Sequence, residues 1–240
     1  MASIKEAFED TILEQYSFVK LFVFAIPVFF AYTSYKAGNT AMFHIMSAVS
    51  IFLLTIMMII VINNTSNANN TVLPSFEPIE FLKTTFLSVI TLGPIIVLLS
   101  FAAYTLGEIE IPLPAPNVQN IYKSIIWALF GSVMLDSLIQ FSKNFKFSAA
   151  YNLKVISNSC VDIFVGLLFL IPQLLILNFL TVGIMYYIFN LFFGVENVIF
   201  YMICSVALVA NVAITSTYLA QLDYETVERK AENDDLEHFS

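Results

Sequence analysis

The sequence predicts an all-α integral membrane protein of about six transmembrane helices, arranged as three parallel hairpins with short in-plane helices on the cytoplasmic side. Three observations predict it. The first is composition: of 240 residues, 59% are hydrophobic and only 12% charged, with a mean hydropathy of +0.83. Soluble domains lie nearer a quarter charged and half apolar. The second is that the apolar residues fall in runs long enough to cross a hydrocarbon core, which takes about 20 helical residues. The third is a proline in every other run. Helices are the expected form because lipid offers no water to satisfy the backbone. The runs do not alternate as barrel strands do.

The spans are expected near 17–35, 42–62, 82–106, 121–141, 160–190 and 197–219, so that 1–222 is a single polytopic membrane domain. Residues 223–240 form an acidic tail with seven Asp and Glu against Arg229 and Lys230. The first span follows an acidic segment, Ala2–Glu14, with no small-residue cleavage site after it, and is expected to stay in the mature protein. In that segment Ile4, Phe8, Ile12 and Tyr16 recur every four residues, with Glu6, Glu9, Asp10 and Glu14 largely opposite. This is an amphipathic lead-in to the first span. Loop charge orients the bundle. Both termini in the cytoplasm places Lys5, Lys20, Lys83, Lys143, Lys146, Lys154, Arg229 and Lys230 inside, and Lys36 and Lys123 outside.

Between the second and third spans lies an Asn-rich stretch with three glycosylation-type triplets, starting at Asn63, Asn64 and Asn69. The orientation puts them inside, so they read as chance triplets in a mobile linker. The third span starts at Ser75-Phe76-Glu77-Pro78-Ile79-Glu80, a helix-start pattern with an early proline and acids. After Gly107 come closely spaced prolines, which predict an extended external strap. The fifth stretch is longer than one crossing needs and contains Pro172, Asn178 and Gly183. It reads either as one tilted or kinked span or as a re-entrant pair.

Pro27, Pro94 and Pro172 mark the first, third and fifth stretches, each about midway along its helix. A mid-helix proline removes one backbone hydrogen bond and tends to kink the helix, and kinked helices are expected to pack inward. The recurrence suggests three equivalent hairpins, each a proline-bearing span going out and a plain span returning.

Candidate polar residues are few. An ionisable side chain within a span is a functional candidate by default. His44, Asp136, Asp162 and Glu196 qualify, all near predicted span ends. Asp136 is the deepest, and can be functional or can reach toward the interface beside Gln140 and Lys143. Asp162 and Glu196 suit helix N-termini. His44 has no partner at metal-ligand spacing, so no metal or other cofactor is expected. Gln173, Asn178, Asn190 and Asn211 read as interhelical glue. Cys160 and Cys204 read as packed apolar cysteines. Between the fourth and fifth spans, Phe147, Tyr151 and Val155 recur every four residues beside Lys143, Lys146 and Lys154. This predicts a short interfacial helix over 143–156.

The stretch from Gln140 to Ile156 (QFSKNFKFSAAYNLKVI), followed by Asn158 and Asp162, resembles domain-of-unknown-function family 4013 of prokaryotic polytopic membrane proteins. It departs from that pattern in Tyr151, where Phe is commoner. The resemblance implies a multi-span protein of a bacterial inner membrane or an archaeal one, and implies no catalytic residue. A net charge of −8 gives no support to a nucleic-acid partner. The functional expectation is a non-enzymatic membrane protein that acts on membrane organisation through lipid or through a membrane or cytoplasmic protein partner. The alternative is a transporter or permease subunit.

Overall fold

The computed structural model describes residues 3–69, 71–75, 77–108, 116–193 and 198–238; the side chains of 80, 116–118, 158, 160, 162, 167, 181, 189, 193 and 226–238 fall outside that description. Among the described residues all regular structure is helical: α1 (Ile4–Ile12), α2 (Ser17–Lys36), α3 (Thr40–Ser66), α4 (Pro78–Gly107), α5 (Pro116–Asn144), α6 (Phe147–Ala150), α7 (Leu153–Asn178), a π-helical turn (Phe179–Gly183), α8 (Ile184–Phe193) and α9 (Val198–His238). Stretches within α2, α3, α4, α5 and α9 are long and apolar enough to cross a membrane, and Ile163–Asn178 of α7 adds a shorter apolar stretch. The chain is an all-α multi-span membrane protein. It divides into two units, one of residues 1–76 and 166–240 and one of residues 77–165.

In the first unit α2 and α3 form a hairpin, and α9 packs against both. The turn between them is set by local chemistry. Gly38 has φ +68, a left-handed conformation that costs a glycine little. It lets the Asn39 N–H reach the Ser34 carbonyl (3.0 Å) and its own N–H reach the Tyr35 carbonyl (3.0 Å), closing α2 as a Schellman motif does. Asn39 then caps α3 by accepting from the Met42 N–H at 3.1 Å. The core of this end is Ala7, Leu170, Ile214 and Tyr218, with Ile4, Phe8 and Leu174 packed on it.

The fifth stretch proves to be one continuous helical run from α7 through the π turn into α8. From Gly166 onward it runs antiparallel to α9. A Cβ on Gly166 would meet Leu222, Asn178 bonds Asn211, and Tyr186 meets Phe200 edge-on at 5.7 Å. Residue numbers rise on one partner as they fall on the other. A re-entrant pair would reverse that register, so that alternative is excluded. The π turn lies between Asn178 and α8, and its residues include the expected Gly183.

In the second unit α4 and α5 make a hairpin. Tyr122 Oη donates to the Leu106 carbonyl (3.1 Å), and Lys123 Nζ pairs with Glu108 at 2.8 Å. Pro78 occupies the first turn of α4, as the sequence pattern predicts. The external strap lies largely in 109–115, outside the described residues.

Four expectations need correction. The interfacial segment 143–156 is not one helix: α5 stops at Asn144, Phe145 turns left-handed at φ +50, and only Phe147–Ala150 is helical before α7. The lead-in face of α1 stops at Ile12. Tyr16 adopts φ +62 and is exposed, while Ala7 and Thr11 are the buried positions. The prolines do not face inward, for Pro27 is half-buried and Pro94 and Pro172 are exposed, each inside an unbroken helix. The Asn-rich stretch is bonded in place rather than loose, as shown below.

Candidate functional site

Asp136 lies on α5, two turns before its end, and is fully buried. Within a helix its own backbone neighbours are already bonded, so its carboxylate needs side-chain donors. Ser159 on α7 supplies one, its hydroxyl 2.6 Å from Oδ2. Gln140, one turn on along the same face, donates its amide to Oδ1 at 3.1 Å. Lys143 Nζ in turn donates to Gln140 Oε1 at 3.3 Å. The result is a polar ladder from a buried carboxylate to a half-buried ammonium, with the neutral amide of Gln140 between them.

Of the other expected ionisable residues, His44 has a described side chain. His44 belongs to the first unit, exposed on α3, with its ring against Phe43 at 5.3 Å. Asp162 is in α7, with its side chain outside the described residues, and Glu196 lies outside them altogether. Among the described residues, no group of three His, Cys, Asp or Glu could hold a metal ion. The expected glue is present at one pair: Asn211 Nδ2 donates to Asn178 Oδ1 at 2.6 Å. Gln173 and Asn190 are exposed instead. Cys204 is free, and the Cys160 side chain is outside the described residues.

Of the interfacial set, Lys146, Phe147, Tyr151 and Lys154 are exposed and Lys143 is half-buried. Phe147 and Tyr151 stack, with ring centroids 4.5 Å apart. Tyr151 Oη donates to the Thr91 carbonyl at 3.0 Å. Thr91 lies within one turn of Pro94, where the missing proline N–H leaves the Ile90 carbonyl without its helical donor. The hydroxyl therefore arrives at the weakened part of α4.

Two features of the first unit were not legible beforehand. Glu14, between α1 and α2, accepts from the N–H groups of Val72 (2.8 Å) and Leu73 (2.7 Å), and its other oxygen pairs with Lys20. Lys20 Nζ also donates to the Leu73 carbonyl at 3.3 Å. Both side chains are nearly buried, at 6% and 11% exposure. Asn64 adds a bond to the Val72 carbonyl (3.1 Å). The only prior signal was a lysine inside an apolar run.

The second feature is a cleft of about 420 Å³ where α1 meets α9, lined by Glu6, Asp10, Thr65, Ser66, Gln221, Tyr224 and Glu225 among others. Thr11 and Thr217 hydroxyls bond across the same contact at 3.1 Å, and Gln221 Nε2 donates to Asp10 Oδ2 at 3.3 Å. The Asp10 carboxyl is held above its usual 3.8, first by desolvation and then by repulsion from Glu6 and Glu9, against the Gln221 bond, which lowers it. Compared with family models, curated proteins and solved structures, the chain matches none.

Proposed function

We propose that the chain is a non-enzymatic protein of the cell membrane, with both termini cytoplasmic, that works by binding. Lipid contacts its flanks, and a protein partner docks at the end of the bundle where α1 lies on α9. The observation that carries this reading is the acid-lined cleft. Glu6, Asp10 and Glu225 border one space, and the Asp10 carboxyl is raised above its usual value by burial first and by the charges of Glu6 and Glu9 second. Carboxylates so placed favour a cationic visitor, and a partner segment rich in Lys or Arg supplies several charges at once. The resemblance of Gln140–Ile156 to family 4013 belongs to this proposal as support for the membrane class and assigns no role.

The test uses the full chain in nanodiscs of neutral lipid and a fluorescent Lys/Arg-rich peptide. Binding is expected to weaken about tenfold in the Glu6→Gln, Asp10→Asn, Glu225→Gln triple variant, and to weaken with added salt. Equal binding by both proteins would overturn the reading.

One observation favours a second reading, a transporter or permease subunit: a fully buried carboxylate, Asp136, sits in a span. Ion or proton flux in proteoliposomes that Asp136→Asn abolishes would put that reading first.

A further inference from the structure

From Ser137 to Val161 the chain has three lysines and no Asp or Glu, in a protein of net charge −8. Those lysines, Lys143, Lys146 and Lys154, surround the joint that links α5 to α7. Lys146 and Lys154 are exposed, and Lys143 is half-buried. Between them Phe147 and Tyr151 present a stacked aromatic pair, 56% and 39% exposed. The pair is fixed in place, because Tyr151 is tied to α4 through the Thr91 carbonyl. Leu153 and Val155 continue the exposed apolar surface.

We propose that this joint binds the headgroup of an anionic phospholipid. The ammonium groups gather the phosphate, and the Phe147–Tyr151 pair sits at the boundary between headgroup and acyl chain. The site is distinct from the acidic cleft and does not depend on it. Charge complementarity selects the ligand. A patch of one sign, opposite to that of the protein as a whole, attracts anionic lipid. The location selects the membrane as the source. α5 and α7 leave the joint as apolar helices, so the joint lies where lipid phosphates are densest. Rings with one apolar face settle at that depth, and lysine stems lie on apolar surface while their heads reach water. Left-handed Phe145 and the single-turn helix after it separate α5 from α7, so that Lys143 ends one helix and Lys154 begins the other, with the ring pair on the connection between them.

The test reads lipid contact at the site itself. The protein has one tryptophan, Trp127, toward the other end of α5. A Trp127→Phe, Phe147→Trp variant moves the fluorophore into the joint. The full chain is reconstituted in vesicles with either brominated phosphatidylglycerol or brominated phosphatidylcholine at equal mole fraction. Expected is stronger quenching by the anionic lipid at position 147 and no preference at Trp127 of the unaltered chain. Each lysine is expected to contribute about fivefold in relative lipid affinity. Lys143→Gln, Lys146→Gln and Lys154→Gln together should abolish the preference, and Arg at the same three positions should keep it. Equal quenching by the two lipids at 147 would overturn the proposal. So would a preference that survives the glutamines, or one that inorganic phosphate removes when matched chloride does not.

Discussion

Glu14 and Asp136 are both almost fully buried carboxylates, and they solve the same problem in different ways. Glu14 lies in the break between α1 and α2 and is satisfied by backbone N–H groups 58 and 59 residues away, plus the charge of Lys20. Asp136 lies inside a helix and accepts hydrogen bonds from Gln140 on its own helix and Ser159 on the next. The difference follows from what surrounds each group. Val72 and Leu73 belong to no helix, so their N–H groups are free to bond a side chain. Around Asp136 the backbone donors already serve α5. An ammonium and a carboxylate in contact fix two chain segments by charge. A carboxylate that accepts from a hydroxyl on one helix and an amide on another joins the two helices through directed hydrogen bonds.

The contrast is broken most directly at Glu14. Replacing it with Ala leaves Lys20 charged and enclosed, and strips both loop N–H groups of their acceptor. Breaking a buried pair by removing one member typically costs about 3–5 kcal/mol. Glu14→Ala is expected to reach that range in thermal or denaturant unfolding of the detergent-solubilised protein. Faster amide hydrogen exchange at Val72 and Leu73 should accompany it. If exchange there stays slow, Glu14 is not what holds the loop. Glu14→Ala with Lys20→Met should recover part of the loss, since no lone charge then remains.

At Asp136 the expected effects are smaller and depend on the substitution. Asp136→Ala removes one acceptor from Gln140 and one from Ser159, whose hydroxyl can still turn to the Val155 carbonyl at 2.9 Å, so the expected loss lies toward the low end of about 1–3 kcal/mol. Asp136→Asn keeps one carbonyl oxygen and is expected to cost less than about 1 kcal/mol. A cost for Asn equal to that for Ala would mean that the negative charge itself is required, and would remove the distinction from Glu14.

The two regions also differ in how far they could be read from sequence. Asp136, Gln140 and Lys143 lie on one helical face at spacings of four and three, so a ladder toward the interface was legible once α5 was recognised. Its partner Ser159 was not, because one serine among many carries no positional signal. The Glu14 clamp was invisible: nothing in Glu14, Lys20, Val72 and Leu73 links them before the chain folds. Hence the Asn-rich stretch, read as a mobile linker from its composition, is fastened at its far end by a residue before the first span. The five long apolar helices were readable as such, since apolar length needs no partner to be recognised. The segment 143–156 failed for a different reason. The four-residue recurrence of Phe147, Tyr151 and Val155 is real, but the left-handed turn at Phe145 and the break at Tyr151 interrupt it, and neither residue type announces such a break.

The loop that Glu14 holds carries its own strain, and this sharpens the comparison further. α3 ends in the same bonding pattern as α2: the Asn69 N–H reaches the Asn64 carbonyl at 2.9 Å and the Ala68 N–H reaches the Thr65 carbonyl at 3.1 Å. Here the left-handed position is occupied by Ala68, φ +49, rather than by glycine. A side chain in that conformation costs roughly 1–2 kcal/mol, offset in part by the greater freedom that glycine has when unfolded. Ala68→Gly is expected to stabilise the protein by about 1 kcal/mol in the same unfolding assay. In Glu14→Ala the gain should shrink, because the turn is then less firmly held. An undiminished gain would show that the turn and the clamp act independently.

The smallest effect separates Asp10 from its neighbour Glu14. Glu14 has a lysine against it; Asp10 has Glu6 and Glu9 instead, with only the Gln221 amide in its favour. Its carboxyl is raised above 3.8 in the folded protein, so the native chain binds this proton more tightly than the unfolded chain does. The sign of the linkage follows. Above the raised value Asp10 is ionised in both states, and its burial and repulsion count in full against folding. As pH falls through the raised value toward 3.8, the native state takes up the proton first and this penalty fades. Asp10 alone therefore makes the fold more stable with falling pH across that window. Other carboxylates titrate nearby, so the useful quantity is the difference between the unaltered protein and Asp10→Asn, which keeps an acceptor for Gln221 and has no charge. Near neutral pH the variant is expected to melt slightly higher, and the two melting temperatures should converge as pH approaches 3.8. A gap that stays constant, or one that widens on acidification, would mean that burial and the acidic neighbours together do not penalise the ionised Asp10. The cleft would then lack the crowding that makes a cationic partner favourable.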